Sequence, residues 1–218
     1  MAMITGLRPE TFEHIQLNAG AFLMGFDYSK ATDAKTLRTA ITEAIRGAQT
    51  TVLSATRGGG TFSMTPATRG IEADGKRMEF VGSTINDGYT AQMTGTFLEF
   101  TEKTFIALGG VVAETSKDTV KEIRFPTSFA KEMYIPSLVW VGDMGGDRVL
   151  LIDLSNALNT SGVSFTFTDK GEGTMPFTFV AHQADLDDSE YAPIKVLIFS
   201  NDEAQQASAQ DEQTQQDE

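Results

Sequence analysis

The chain has 218 residues, a formal net charge of −13, two histidines and no cysteine. Without cysteine it has no disulfide, no thiol catalysis and no cysteine-ligated metal site. Hydrophobic residues make up 40% of the sequence, yet no apolar run approaches the roughly 18 residues of a membrane-spanning helix. The first ten residues lack the charged start and apolar stretch of a signal peptide. We therefore expect a well-cored protein with neither a membrane span nor a secretion signal.

The charge of the chain also limits its partners and its folded length. Grooves that grip nucleic acid depend on clustered Lys and Arg, which an acidic chain does not favour. Residues 201–218 include six acids, no base and no aromatic or branched aliphatic side chain. Such a segment cannot bury enough apolar surface to offset its ordering entropy. We predict a single domain over residues 1–200 and a disordered, acidic, Gln-rich tail over residues 201–218.

In chain order, an N-terminal segment expected to be extended precedes the clearest helix pattern, at positions 33–46. Apolar residues recur there with the spacing of one helix face, namely Leu37, Ala40, Ile41, Ala44 and Ile45. Asp33 or Thr32 can cap the start, and Gly47 can supply the left-handed residue that often ends a helix. The pattern predicts an amphipathic helix.

The next span, Ser54 to Lys76, is rich in glycine and turn-forming residues. Loops of this length in compact domains are usually functional or disordered. This one also contains Phe62, Met64 and Ile71, and apolar side chains in an extended excursion favour docking onto a neighbouring molecule. We predict a long protruding loop in which Arg57–Gly60 is a flexible hinge to a protruding hairpin.

Most of the remaining chain alternates with the period of two that is typical of half-buried strands. One predicted strand has Ala91, Met93 and Phe97 on one face. Two hairpins are predicted, a buried one that pairs 138–141 with 149–152 around a Gly/Asp turn and another that pairs 163–167 with 175–181. A last strand is predicted over 194–199. A short helix is predicted over 102–108. In the last strand Leu197 and Phe199 lie opposite Ile194, Val196 and Ile198, so this second apolar face needs cover from another sheet or another chain.

These elements predict a mainly β fold class: an antiparallel β-sandwich or open barrel with one flanking α-helix and a long protruding loop. No catalytic or metal-binding motif is complete. Arg57–Gly60 lacks the ending of a phosphate-binding loop, the acidic residues of 185–190 lack EF-hand spacing, and neither His14 nor His182 has a catalytic companion in the sequence. We therefore expect no enzymatic activity, no cofactor and no metal.

Three stretches, taken in order, resemble the major tail tube proteins of long-tailed bacteriophages, especially the siphovirus type with non-contractile tails. The first is Ser54–Arg77, in which Arg57-Gly58-Gly59 leads through Phe62-Ser63-Met64-Thr65-Pro66 to Arg69-Gly70-Ile71. The others are Tyr89–Thr101 (YTAQMTGTFLEFT) and the pair Phe177–His182 with Ala192–Phe199. Together they span most of positions 54–199. The 33–46 helix and the acidic tail depart from the family pattern.

The resemblance implies a tail tube fold whose copies form homo-hexameric rings that stack into the conduit for DNA ejection. DNA would pass through the lumen without specific binding, and no membrane is involved. The other implied partners are the terminator, distal tail and tape measure proteins of a virion tail, made in the host bacterial cytoplasm. The excursion Ser54–Arg77, together with the N-terminal segment Thr11–Asp27, would bridge subunits or rings. The residues expected at subunit or ring interfaces are Phe22, Phe26, Arg57, Phe62, Met64, Ile71, Met78, Leu197 and Phe199.

Two other assignments remain open. The inner tube of a contractile tail or of a type VI-like injection device would need a sheath-binding outer surface. A monomeric β-sandwich binding module would need an exposed aromatic platform, whereas the single tryptophan, Trp140, lies in an apolar run typical of a core.

Overall fold

The computed structural model describes residues 8–47, 52–113, 120–185 and 191–201. The strands are β1 (Ala21–Met24), β2 (Thr56–Gly70), β3 (Thr84–Phe97), β4 (Val111–Val112), β5 (Ile123–Arg124), β6 (Ile135–Asp143), β7 (Val149–Asn159), β8 (Met175–Val180) and β9 (Ile194–Phe199). The helices are α1 (Ala34–Arg46), α2 (Glu102–Ala107) and two 3₁₀-helices, Pro9–His14 and Lys131–Met133. The predicted fold class, mainly antiparallel β with one principal helix, is confirmed.

The chain divides into two compact units. A single domain over residues 1–200 therefore stays a prediction, and the predicted tail beyond Asn201 lies outside the described residues. The first unit comprises Met1–Ala55, Ser137–Asp153 and Lys195–Glu218. In its sheet β1 pairs antiparallel with β6, with Phe22 opposite Trp140. Strand β7 lies between β6 and β9.

Helix α1 covers this sheet as the apolar spacing predicts. Asp33 caps it: its Oδ1 accepts the Thr36 amide at 2.7 Å, and the Thr36 hydroxyl accepts the Asp33 amide at 3.1 Å. Leu37 is fully buried among Leu23, Val139 and other core residues. The prediction for Gly47 is wrong, because its φ is −70° rather than left-handed. Glycine is required there by close approach instead, since a Cβ would lie 2.8 Å from the Glu43 carbonyl oxygen.

The second unit comprises Thr56–Pro136 and Leu154–Ile194. Its sheet has the order β7-β8-β3-β2, and β4 and β5 form a separate two-stranded sheet beside α2. The alternation predicted for β3 is confirmed, because Ala91, Met93 and Phe97 are buried. Phe97 stacks on Phe177 of β8 with ring centroids 4.1 Å apart, which places an aromatic core on one face of this sheet.

Two predicted elements of the second unit are wrong. Residues 56–70 form strand β2 rather than a loop, because their backbone pairs with β3 from Thr61 opposite Thr94 to Gly70 opposite Thr84. The predicted protruding hairpin is therefore present as β2–β3. The proposed strand 163–167 makes a single isolated bridge, between Thr166 and Thr174. Its Phe165 packs instead on Phe100 and Phe105, at centroid distances of 5.7 and 5.6 Å. Aromatic packing, rather than a strand ladder, holds that segment.

The N-terminal segment also differs from the extended conformation expected, because Pro9–His14 is a 3₁₀-helix. Arg148 holds it to the turn after β6: its Nη1 lies 3.0 Å from His14 Nδ1, and its Nη2 lies 3.8 Å from a Glu13 carboxylate oxygen. Gly145 allows this close approach, since a Cβ there would clash with the Phe12 carbonyl oxygen. The described part of the segment is therefore docked on its own unit.

Candidate assembly surfaces

The β2–β3 hairpin extends past the strand that supports it. Strand β8 pairs with β3 as far as Gln92 opposite Val180, and the Ala181 amide donates to the Ala91 carbonyl at 2.9 Å. Beyond that point the hairpin is two-stranded within the described residues. We call residues 65–90 the arm. An isolated two-stranded ribbon is at best marginally stable in water, so the arm depends on the packed base of the hairpin, residues 56–64 and 91–97.

The arm presents large apolar side chains to solvent. Met78 is 82% exposed, Phe80 64% and Val81 103%. Ile71 and Tyr89 are also exposed, as is Met64 at the junction with the base. Exposed apolar groups that cluster in this way mark interaction sites. The sequence prediction named Met64, Ile71 and Met78 but not the others, although Met78, Phe80 and Val81 stand close together just beyond the Asp74-Gly75 turn.

A polar network shapes the tip of the arm. Lys76 Nζ donates to the Glu79 carboxylate and to the Ile71 carbonyl, both at 2.7 Å. The Ser83 hydroxyl donates to the same carboxylate, and the Ile71 amide donates to the Ser83 carbonyl at 2.7 Å. Hydrogen bonds from Lys76 and Ser83 lower the pKa of Glu79. The apolar residues at the tip are therefore held on a hydrogen-bonded turn.

The other expected interface residues divide into two groups. Phe22 and Phe26 are 1% and 7% exposed, and Leu197 and Phe199 pack on the core of the first unit. These four side chains are used by their own chain, so the open apolar face of β9 is that of Val196 and Ile198 instead. Two more residues lie in the base of the hairpin: Arg57, which pairs with Glu172 at 3.2 Å, and the half-buried Phe62.

The first unit contains a cleft of about 520 Å³ beside α1. Its apolar wall includes Ile41 and Ile45 of α1 with Val141 and Val149 of the sheet. At its rim Arg38 Nε donates to Asp143 at 3.1 Å, and Asn18 Nδ2 donates to the same carboxylate at 2.8 Å. The charges of the cleft are thus paired within the chain.

Trp140 lies next to this cleft and is half-buried rather than in the core. Its Nε1 donates to the Ala19 carbonyl at 3.1 Å. Two lining glycines allow the indole this position, since a Cβ on Gly20 or Gly142 would lie 2.5 or 2.6 Å from the ring. The single tryptophan therefore contacts the floor of the cleft.

The described residues do not assemble a metal site, since no three His, Asp or Glu side chains come together in them. His182 Nδ1 lies 3.0 Å from the Val180 carbonyl, and its ring meets Tyr134 edge-on at 5.1 Å. Both contacts suit a packing role. Within the described ranges, no helix has the length and apolar character needed to cross a membrane. Of the acidic run considered for calcium, residues 186–190 lie outside these ranges.

No protein-family model matches the chain, and no curated protein matches it. Among solved structures, the chain is similar to one described as the tail of an empty GTA particle, computed with helical refinement in C6 symmetry. The two share 11% identity at a TM-score of 0.39, over 76% of this chain and 92% of that chain. A similarity at this level does not assign a function.

Proposed function

We propose that this protein is a structural subunit of a bacteriophage tail tube. Its copies form hexameric rings that stack into the conduit through which DNA is ejected. The ordered sequence resemblance over positions 54–199 motivates the proposal, and the exposed apolar arm is the observation that supports it best. In this proposal the chain is not an enzyme, and its place is the tail of a virion.

The arm supplies a driving force for association. Fully burying one large apolar side chain contributes roughly 1.5–3 kcal/mol relative to leaving it in water. Met78, Phe80 and Val81 are all more than half exposed in the isolated chain. Burial of these three side chains against another copy would stabilise an assembly, whereas in the monomer they stay mostly in water.

The charge of the chain is consistent with DNA that passes through the proposed tube without binding tightly to its wall. Phosphate binding draws on clustered, available Lys and Arg, and the chain has 17 of these against 30 acidic residues. On the hairpin, Arg57, Arg69 and Lys76 each pair with a carboxylate. Such a surface releases few counterions from a nucleic acid, so it would favour sliding over specific binding.

The test uses the purified full-length chain, observed by negative-stain microscopy and light scattering. We expect rings or tubes with six subunits around the axis. Val81→Asp would place a charge in the buried arm contact and raise the concentration needed for assembly by roughly tenfold or more, since tenfold corresponds to about 1.4 kcal/mol. Val120→Asp is the matched control, because Val120 is 65% exposed outside the arm. A wild-type chain that stays monomeric at high concentration would refute the proposal.

One observation supports a second candidate, a monomeric binding module. Phe100, Phe165 and Phe167 form a chain of ring contacts at 5.7 and 6.3 Å. Phe167 is 81% exposed, which makes this group an exposed aromatic surface of the kind such a module needs. The same scattering experiment separates the candidates, because a module would remain monomeric at every concentration.

A further inference from the structure

We propose that the arm of one copy docks into the cleft beside α1 of another copy. This inference rests on the proposed function, because it names the surface that receives the arm in the assembly.

The apolar stripe of α1 shows where a partner is missing. Leu37 at the start of the stripe is fully buried, Ala40, Ile41 and Ala44 are half-buried, and Ile45 is 49% exposed. The stripe therefore opens toward the C-terminal end of the helix, where Ile45 forms part of the cleft wall. The cleft volume of about 520 Å³ lies within the range of roughly 300–1,000 Å³ that is typical of binding pockets. The exposed side chains at the arm tip are apolar groups of suitable size.

The helix beside the cleft and the loop of the arm carry net charges of opposite sign. Helix α1 has three basic residues and one acidic residue, whereas the arm loop, residues 71–83, has three acidic residues and two basic ones. The helix is thus locally positive and the loop locally negative in a chain of net charge −13. Opposite local charge steers association and disfavours wrong contacts between otherwise acidic copies.

Docking also leaves no cleft charge unpaired. Arg38 and Asp143 already bind each other, and Lys76 and Glu79 of the arm do the same. Burying one unpartnered charge would be strongly unfavourable, and these pairs avoid that cost.

The two surfaces are different, so the contact is heterologous. Each copy has one arm and one cleft, and every docked pair leaves a free arm at one end and a free cleft at the other. Contacts of this type close into rings or continue as filaments. This geometry is what a ring or a stack of rings requires.

A complementation experiment tests the docking directly. Val81→Asp damages the arm and leaves the cleft intact, while Ile45→Asp damages the cleft and leaves the arm intact. We expect each variant alone to need a roughly tenfold or higher concentration for assembly, as when one interface anchor is lost. An equimolar mixture should form one-to-one pairs through the remaining good arm and good cleft, and a chain with both substitutions should not pair with itself. Ile106→Asp, on the exposed surface of α2, is the matched control, and circular dichroism checks that each variant folds.

The absence of natural cysteine allows a second readout. A chain with Val81→Cys and Ile45→Cys should give a ladder of covalent oligomers under oxidation, whereas Val81→Cys with Ile106→Cys should not. Purely intramolecular cross-linking would overturn the inference.

The remaining outcomes separate this inference from the proposed function. If Ile45→Asp assembles like the wild type while Val81→Asp does not, the cleft is not the receiving surface and the proposed function stands. If wild-type chains form no assembly at all, both fail. If Ile45→Asp leaves assembly unchanged but exposes residues 202–218 to protease, the cleft belongs to that segment and the inference is overturned.

Discussion

The base and the arm of the β2–β3 hairpin share one pattern of backbone pairing but differ in what covers them. In the base, Met93 and Phe97 are buried together with Phe177 and Phe179 of β8. In the arm the third strand is missing among the described residues, and Tyr89 of the same strand β3 is 53% exposed. Strand pairing can therefore extend a ribbon without a core, while the free energy of folding comes from the base. The large apolar side chains of the arm stay exposed in the single chain.

The largest expected effect comes from truncating one phenylalanine in each region. Phe177 stacks on Phe97 at 4.1 Å and is 2% exposed. Phe177→Ala should lower the free energy of unfolding by about 3–5 kcal/mol, because it removes a packed ring and leaves a cavity. Phe80→Ala in the arm should change it by less than about 0.5 kcal/mol, as expected of an exposed site.

Chemical denaturation of both variants measures the difference. Similar losses would mean that the arm belongs to the folding core and would remove the contrast between the two regions. The slope of the denaturation curve serves as a control, because an unchanged slope shows that the variants differ in stability rather than in the extent of unfolding.

Substitution of one glycine in each region should have the next largest effect on stability. A Cβ on Gly95 would lie 2.5 Å from the Phe177 ring, which stacking on Phe97 holds in place. Gly95→Ala should therefore destabilise the chain by about 1–3 kcal/mol through overpacking. In the arm, a Cβ on Gly70 would meet the far end of the exposed Glu79 side chain at 2.8 Å. This side chain can move at the expense of its hydrogen bonds with Lys76 and Ser83, so Gly70→Ala should cost less than Gly95→Ala. Thermal unfolding compares the two, and an equal loss at both positions would show that the arm is as tightly packed as the base.

The smallest expected effect is a local dependence on pH at the arm tip. Lys76 and Ser83 lower the pKa of Glu79 below its ordinary 4.5. A lowered folded-state pKa stabilises the tip above the ordinary value, and this stabilisation is lost as pH falls through the lowered pKa. Hydrogen exchange of the Ile71 amide, which donates to the Ser83 carbonyl, should therefore lose protection in acid.

Two comparisons sharpen this prediction. Glu79→Gln should remove the acid dependence at Ile71, because the amide does not titrate in this range. Amides of the base, such as that of Met93, should keep their protection over the same pH interval. Equal acid sensitivity in both regions would point to global unfolding instead of opening of the tip.

The local sequence pattern was enough to predict several helices and strands. The stripe from Leu37 to Ile45 predicted α1, and the capping box at Asp33 confirms its start. Helix α2, the β6–β7 hairpin and the buried face of β3 are confirmed as well. Helix α1 and the buried face of β3 depend on a period of 3.6 or 2 that is readable within about a dozen residues. The β6–β7 hairpin was predicted instead from two apolar runs without alternation around a Gly/Asp turn.

Prediction of the candidate surfaces was less complete. Ile71 and Met78, predicted at an interface, are exposed in the single chain, whereas Phe22 and Phe26 are buried and Leu197 and Phe199 are partly buried in it. An apolar side chain looks the same in a sequence whether its own chain or another chain covers it, so the interface assignment of all six stays a prediction. The cleft could not be predicted at all, since its walls join α1 to strands β6 and β7, far away in the sequence.

Sequence periodicity thus defined the mainly β class, the principal helix and its N-terminal cap, because hydrophobic repeats and capping act between near neighbours. Tertiary contacts alone decided that the Gly-rich span is a strand, since its polar backbone is satisfied by β3 rather than by a turn of its own. They also decided which face of β9 is open and where the hairpin loses its third strand. Burial depends on contacts distant in sequence, and no local pattern states how far a neighbouring strand reaches.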